Sequence, residues 1–308
     1  MVIGLNDLEV LRSNQESVYS EILGREINPD LYLSIVTTNK CQLNCPYCIN
    51  GGTDKSLDLP LEKALSNIKK AKDMLGIKEC VILGGEPFMY KHLDDLIDGL
   101  KEMNFRKLCL TTNGVALTKL DKINDGITHL NISFHNYCNK LFTFDDLKET
   151  YIKLKTTNRN LKIRINTNVY KGNHDSVISL YHWIQAISPY CDSIRVSNII
   201  SQDSFSVNEK NTEGAFNTML TNDKYNNLFD ELIERYSAGY TCIDNPDSLG
   251  FVDYVLIPAK TPIIINRNIG SKVADQVCEN SKQKINTVKC LVSGDISLSW
   301  NKNNIINL

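Results

Sequence analysis

No stretch of this sequence approaches the roughly 18 consecutive apolar residues that a membrane-spanning helix needs. The opening MVIGLNDLEVLRSNQE has neither a cationic start nor a continuous apolar run, so it does not read as a signal peptide. Charge of one sign is not in excess either. Lys and Arg number 34 against 36 Asp and Glu, a formal charge of −2. That balance argues against capture of nucleic acid or an anionic membrane over the whole surface, while a local basic pocket stays open. Internal repeats and low-complexity tracts are lacking as well. A cytoplasmic globular protein is the expectation, and 308 residues suffice for one large α/β domain or two modest ones.

What the chain has in quantity is cysteine, ten in all. In a reducing compartment such a count points to metal or redox chemistry rather than disulfides. Cys80, Cys109, Cys138, Cys191, Cys242, Cys278 and Cys290 are dispersed and read as small buried hydrophobes. Cys41, Cys45 and Cys48 are different, since CQLNCPYC spaces them as CxxxCxxC. A structural zinc site takes four ligands and a disulfide two. Three thiolates in one loop face a common point and leave one coordination position open.

Strands alternate with helices over most of the chain. LYLSIVTT (31–38), KECVILGGEP (78–87), KLCLTTNG (107–114), THLNISFH (128–135), LKIRINTNV (161–169) and DSIRVSNII (192–200) read as strands. Between them, apolar residues recur at helical spacing after Asp58 and Pro60, in HLDDLIDGLKEM, in VALTKLDKIND, after Thr143, and in SVISLYHWIQAI. Six strand–helix units predict an α/β fold, a partial parallel (β/α)6 barrel over residues 31–200. Residues 1–30 are expected to be a helical segment. Residues 201–308 are expected to be an α+β extension on the barrel, with one amphipathic helix in KYNNLFDELIERYSAG and short strands after it.

Functional groups of parallel α/β proteins gather at the C-terminal strand ends. Here those ends carry the three cysteines, then Gly84, Gly85, Glu86 and Pro87, then Asn113, then Ser133 and His135, then Arg164 and Asn166. CxxxCxxC with an aromatic, Tyr47, before its last cysteine, followed 36 residues later by GGEP on the next strand, resembles the radical S-adenosylmethionine (SAM) superfamily. The resemblance implies a TIM-barrel-like core and one [4Fe–4S] cluster held by Cys41, Cys45 and Cys48. It implies SAM chelating the open iron and cleaved after electron transfer to a 5′-deoxyadenosyl radical. Gly84, Gly85 and Glu86 would then meet the SAM amino group, with Pro87 fixing the turn, and Asn113 and Ser133 would contact its ribose or methionine part. RINTNVYKGN is similar to the fifth-strand segment of the molybdenum cofactor cyclase branch, which puts Arg164 at the SAM carboxylate with Asn166 beside it. An ordinary salt bridge is the alternative for Arg164. The strand end around Val196 would supply backbone near the adenine. An electron donor such as flavodoxin or ferredoxin is the implied partner.

Strand alternation puts His135 on the face of Ser133, where it is a candidate to orient substrate or move a proton, or else a structural histidine. Cys138 is a candidate hydrogen donor to a substrate radical, or an inert thiol. After residue 200 only Cys242, Cys278 and Cys290 occur, without a CxxC pair, and the chain ends Ile306-Asn307-Leu308. The extra cluster and terminal double glycine of the cyclase branch are therefore not expected. Arg267, Lys289 and Trp300 are candidates to face a substrate. The reading that follows is a radical enzyme acting on a small polar substrate, nucleotide- or sugar-like. A peptide-modifying radical enzyme is the alternative on the same scaffold, and a redox-sensing iron–sulfur or zinc protein is the alternative outside it.

Overall fold

The computed structural model describes residues 18–20, 23, 25–45, 48, 54–135, 140–198, 222–236, 240–245, 251–256, 263–268, 285–298 and 305–306. Strand β1 (Val18–Ser20) pairs antiparallel with the start of β2 (Arg25–Val36). From β2 the sheet runs in chain order through β3 (Glu79–Leu83), β4 (Lys107–Thr112), β5 (His129–Ser133), β6 (Lys162–Val169) and β7 (Ser193–Asn198), each neighbouring pair parallel. Helices α1 (Leu61–Leu75), α2 (Leu93–Glu102), α3 (Phe144–Thr157) and α4 (Val177–Ile187) occupy crossovers between them. Sequential parallel strands joined by right-handed crossovers put these helices on one face of the sheet.

Side-chain alternation matches that arrangement. Leu33, Ile35, Cys80, Ile82, Leu108, Leu110, Leu130, Ile132, Ile163, Ile165, Ile194 and Val196 are buried with the helix residues Ala64, Ile68, Leu96, Leu147, Leu180 and Ile184 in one apolar core. The alternate positions lie on the opposite face, which carries Ser34, Thr111, Asn131, Ser133, Arg164, Asn166, Arg195 and Ser197, with Val81, Leu83 and Cys109 among them. Helix α3 starts where the sequence predicts, with a reciprocal capping box between Thr143 and Asp146.

The C-terminal strands extend the same sheet at both edges. β11 (Ile285–Cys290) pairs parallel with β2, and β12 (Ile296–Ser297) pairs antiparallel beyond it. At the other edge β10 (Ile263–Asn268) pairs parallel with β7, followed antiparallel by β9 (Phe251–Leu256) and β8 (Tyr240–Asn245). Among the described residues the sheet does not close, because its order runs from β12 to β8 without a pairing between them. The predicted amphipathic helix is α5 (Asn222–Tyr236), joined to α4 by stacking of Tyr181 on Tyr236 at 3.8 Å.

Two local expectations are corrected. The described part of residues 1–30 is a β-hairpin arm, not helix, because cross-strand bonding to the sheet edge outweighs the weak helical pattern. Pro29, which has no N–H to give a ladder, falls where the β11–β2 register shifts. VALTKLDKIND yields only a 3-10 turn over Val115–Lys119. Beyond it, Asn124 bonds the Gly126 amide and the carboxylates of Asp94 and Asp98, a turn-forming use of the side chain that competes with helix.

Replacing the fully buried Ile132 by Ala is expected to cost about 2–5 kcal/mol, whereas the same change at Ile152, 59% exposed, stays within about 0.5 kcal/mol. Urea unfolding followed by circular dichroism checks the contrast.

Candidate functional site

The cysteine loop leaves β2 at Val36 and is fastened at its base. Thr37 and Thr38 are fully buried, and both hydroxyls and both carbonyls are hydrogen-bonded. The Thr37 amide and hydroxyl both donate to Leu83 O, at 2.9 and 3.1 Å. The Thr38 hydroxyl donates to Asp58 Oδ1 at 2.6 Å, and Lys40 Nζ lies 2.6 Å from Asp58 Oδ2. Burial pushes the Asp58 carboxyl up, but the bonds from Lys40 and Thr38 outweigh it and hold its pKa below the usual value. Sequence reading took Asp58 only as part of a helix start. The N-cap of α1 is Pro60, with no side-chain cap bond, and Asp58 braces the loop instead. The one sequence signal for this was an acidic residue two positions ahead of a proline that needs no cap.

The GGEP segment at the end of β3 lies directly against this loop. Gly85 N donates to Thr38 O and Glu86 N to Lys40 O, both at 2.6 Å. A Cβ on Gly84 would sit 2.7 Å from Thr38 O, at a φ of +151° that side chains rarely adopt. A Cβ on Gly85 would sit 2.1 Å from Lys40 O. The glycines are needed here because the backbone carrying the cysteines passes over them.

Glu86 is 1% exposed. Its Oε1 accepts from the Thr112 hydroxyl at 2.7 Å and from Phe88 N at 3.3 Å, and its Oε2 accepts from Asn113 N at 2.8 Å. Burial raises its pKa, and the three donors pull it back. These bonds tie the end of β3 to the end of β4. Pro87 is buried at the first position of a 3-10 turn over Pro87–Met89. Asn113 follows Thr112 at the end of β4 and reaches across to the loop, with Oδ1 accepting from Gln42 Nε2 and Nδ2 lying 3.8 Å from Cys41 Sγ.

Cys41, Cys45 and Cys48 are half-buried free thiols. The Cys48 amide donates to Cys45 O at 3.1 Å, which curls the loop back on itself. Cys41 Sγ accepts from Leu43 N at 3.4 Å. Burial raises the Cys41 pKa, and the charges of Glu86 and Cys48 push the same way. Among the described residues no three His, Cys, Asp or Glu side chains gather tightly enough to hold one metal ion. Three free thiols on one loop, one of them already accepting N–H bonds, fit the donor set of an iron–sulfur cluster.

On the polar face, register puts Ser133 opposite Asn166 and Asn166 opposite Arg195, while Asn131 stands opposite Arg164 and Arg164 opposite Ser193. Asn166 Oδ1 is buried without a hydrogen-bond partner among the described residues. His135 Nδ1 accepts from Asn168 N at 3.1 Å, which fixes its other nitrogen as the N–H donor. Burial, with His174 nearby, pushes its pKa down to about 4, so His135 is neutral at physiological pH. Val196 is fully buried on the helix side, so only its backbone is available to the polar face. Lys289 is buried and donates to the carbonyls of Leu298 and Thr287, which commits its charge internally. Tyr47, Cys138 and Trp300 lie outside the described residues, as does the side chain of Arg267.

Residues 35–162, from the middle of β2 to the start of β6, match the Radical SAM superfamily. A probable GTP 3′,8-cyclase of Methanocaldococcus jannaschii is 36% identical over 113 residues, 36% of this chain and 37% of that protein. The GTP 3′,8-cyclase of Clostridium perfringens is 31% identical over 172 residues, 51% of each chain. The chain thus spans about half the length, or less, of these relatives. Among solved structures, Streptococcus suis SuiB bound to the precursor peptide SuiA aligns with a TM-score of 0.56 at 18% identity, over 90% of this chain and 62% of that one. SuiB bound to SAM gives 0.54 at 17%, over 86% and 59%. These two are likenesses of fold, and they agree with an open, mostly parallel α/β sheet. The cysteine loop, the GGEP clamp and the order of strands β2 to β6 all fall within or beside the segment that matches the Radical SAM superfamily.

Proposed function

We propose that this chain is a radical SAM enzyme that takes a hydrogen atom from a small polar substrate of nucleotide type. The observation that carries the reading is the joining of the two motif halves, with the three-thiol loop bonded through Thr38 and Lys40 to the backbone of Gly85 and Glu86. The family uses a [4Fe–4S] cluster with SAM, which together supply a one-electron route to a radical able to abstract hydrogen from an unactivated carbon. In this chain Cys41, Cys45 and Cys48 would hold the cluster. The strand ends beside them, at Gly84, Asn113 and Ser133, offer backbone and side-chain polar groups to SAM. Glu86 acts from behind, by fixing the Asn113 backbone.

The substrate class rests on the polar face and on the relatives. Arg164 and Arg195 stand diagonally on neighbouring strands, two residues apart in register, with Asn166, Ser133 and Asn131 around them. Such a surface suits a ligand with anionic and hydrogen-bonding groups. The cyclases named above act, by their names, on GTP. His135 contributes a neutral N–H donor rather than a cation or a base poised near pH 7. An external one-electron reductant is required, as is shielding of the reaction from water.

Anaerobic reconstitution should give about four irons per chain. With dithionite and SAM the protein should form 5′-deoxyadenosine, faster with a purine nucleoside triphosphate than with an unstructured peptide. Failure to form 5′-deoxyadenosine with either addition would sink the enzymatic reading, and acceleration by the peptide alone would overturn the substrate class. Cys45→Ala should abolish the cluster absorbance. Gly85→Ala should lower iron content several-fold by displacing Lys40, whereas Gly172→Ala, strained at φ +82° but open to solvent, should keep it. Colorimetric iron assay reads both glycine variants.

A further inference from the structure

Asn113 is anchored on every side. Its main-chain N–H is spent on Glu86 Oε2 at 2.8 Å. Its Oδ1 accepts from Val115 N and Gln42 Nε2, each at 3.1 Å. A main-chain N–H has no second identity, so the bond from Val115 settles which end of the amide is oxygen. The NH2 end must then point the other way, and it points at Cys41 Sγ, 3.8 Å off. Cys41 Sγ already accepts from Leu43 N at 3.4 Å, so two N–H groups converge on one sulfur from different strands' ends. A neutral thiol gains little from two such donors. A thiolate whose charge rises gains more.

We propose that Asn113 is a positioning residue that raises the reduction potential of the cluster by donating an N–H···S bond to Cys41. The proposal rests on the cluster assignment above, and it gives Asn113 a task separate from any contact with SAM. Adding one electron, from a low-potential one-electron donor, increases negative charge on the iron-bound sulfurs. A fixed N–H dipole aimed at Cys41 stabilises the reduced cluster more than the oxidised one, and no proton moves. The effect is local to one ligand, because Asn113 sits at the end of β4 and Cys41 is the first cysteine after β2. Gln42 matters indirectly, since its bond to Oδ1 helps hold the amide edge-on to the sulfur. Glu86 opposes the effect as a charge, yet fixes the peptide from which Asn113 projects.

The test is the midpoint potential of the reconstituted protein without SAM, by titration with electron paramagnetic resonance detection. Asn113→Leu removes the donor at nearly constant volume, and Asn113→Asp keeps an acceptor for Val115 N while replacing the donor by a charge. The expected order is graded, with wild type highest, Asn113→Leu lower and Asn113→Asp lowest, and Gln42→Leu shifted slightly the same way. Electron–nuclear double resonance in D2O should show an exchangeable proton coupled to the wild-type cluster and missing in both Asn113 variants. A wild-type protein that takes no cluster overturns the function proposed above. Wild-type loading with unchanged midpoints in both variants overturns only the tuning role. If neither variant assembles a cluster, Asn113 serves to frame the loop and the tuning role is likewise overturned.

Discussion

The site depends on two backbone hydrogen bonds, from Gly85 N to Thr38 O and from Glu86 N to Lys40 O, each 2.6 Å long. They continue the β2–β3 pairing past the last ladder pair, Val36 with Leu83, into segments that are no longer strand. A ligand loop hung on a strand end would otherwise be free to swing. Here its first four residues are held as if they were sheet, with Thr37 and Thr38 fully buried and their hydroxyls spent on Leu83 O and on Asp58. Ordering so many polar groups away from water is favourable only because each finds a partner. That is why the two motifs occur together, since each supplies the backbone partners of the other.

Strand order does the remaining positioning. Consecutive parallel strands force the helices to one face, and the apolar alternates of every strand follow them there. The other alternates are left to form the opposite face, rich in polar residues, whose C-terminal edge carries the cysteine loop. Asn166 is informative in this setting, because its Oδ1 is buried and unpartnered among the described residues while Ser133 and Arg195 stand opposite it on either side. A buried acceptor left open is a cost that a bound polar ligand or an ordered water would remove. The strands after residue 240 lengthen the sheet at both edges, which widens this face.

Much of this was legible in the sequence because periodicity reports burial. LYLSIVTT, KLCLTTNG and LKIRINTNV alternate so that one face must be apolar, and Thr143 followed by Asp146 announces a helix start. The cysteine spacing and GGEP were legible for another reason, in that few chemistries want three thiolates and a double glycine so placed. What the sequence concealed depends on long-range partners. Residues 18–20 are strand only because the edge of β2 is there to receive them. Asp58 reads as a cap until Lys40 and Thr38 are seen beside it, 18 and 20 residues away. Glu86 reads as a ligand contact, and its further bonds to Thr112 and Asn113 at the end of β4 were not legible in the sequence.

The charge balance of the loop explains why cluster and loop conformation belong together. Burial holds Cys41 above its usual pKa, and the neighbouring charges of Glu86 and Cys48 act in the same sense. Lys40, the nearest cation in sequence, is committed to Asp58. Deprotonating Cys41 there without a positive centre is therefore opposed by desolvation and by the neighbouring charges. Iron held by these cysteines, as proposed, would reverse the sign of that balance, because the metal would stabilise thiolates and the N–H groups of Leu43 and Asn113 would then face charge rather than a neutral sulfur. The frame below the loop is complete without it, because the bonds of Thr37, Thr38, Gly85 and Glu86 are backbone and hydroxyl bonds indifferent to the sulfurs' ionisation. The fold thus keeps a rigid base under the rim where the proposed cluster would sit.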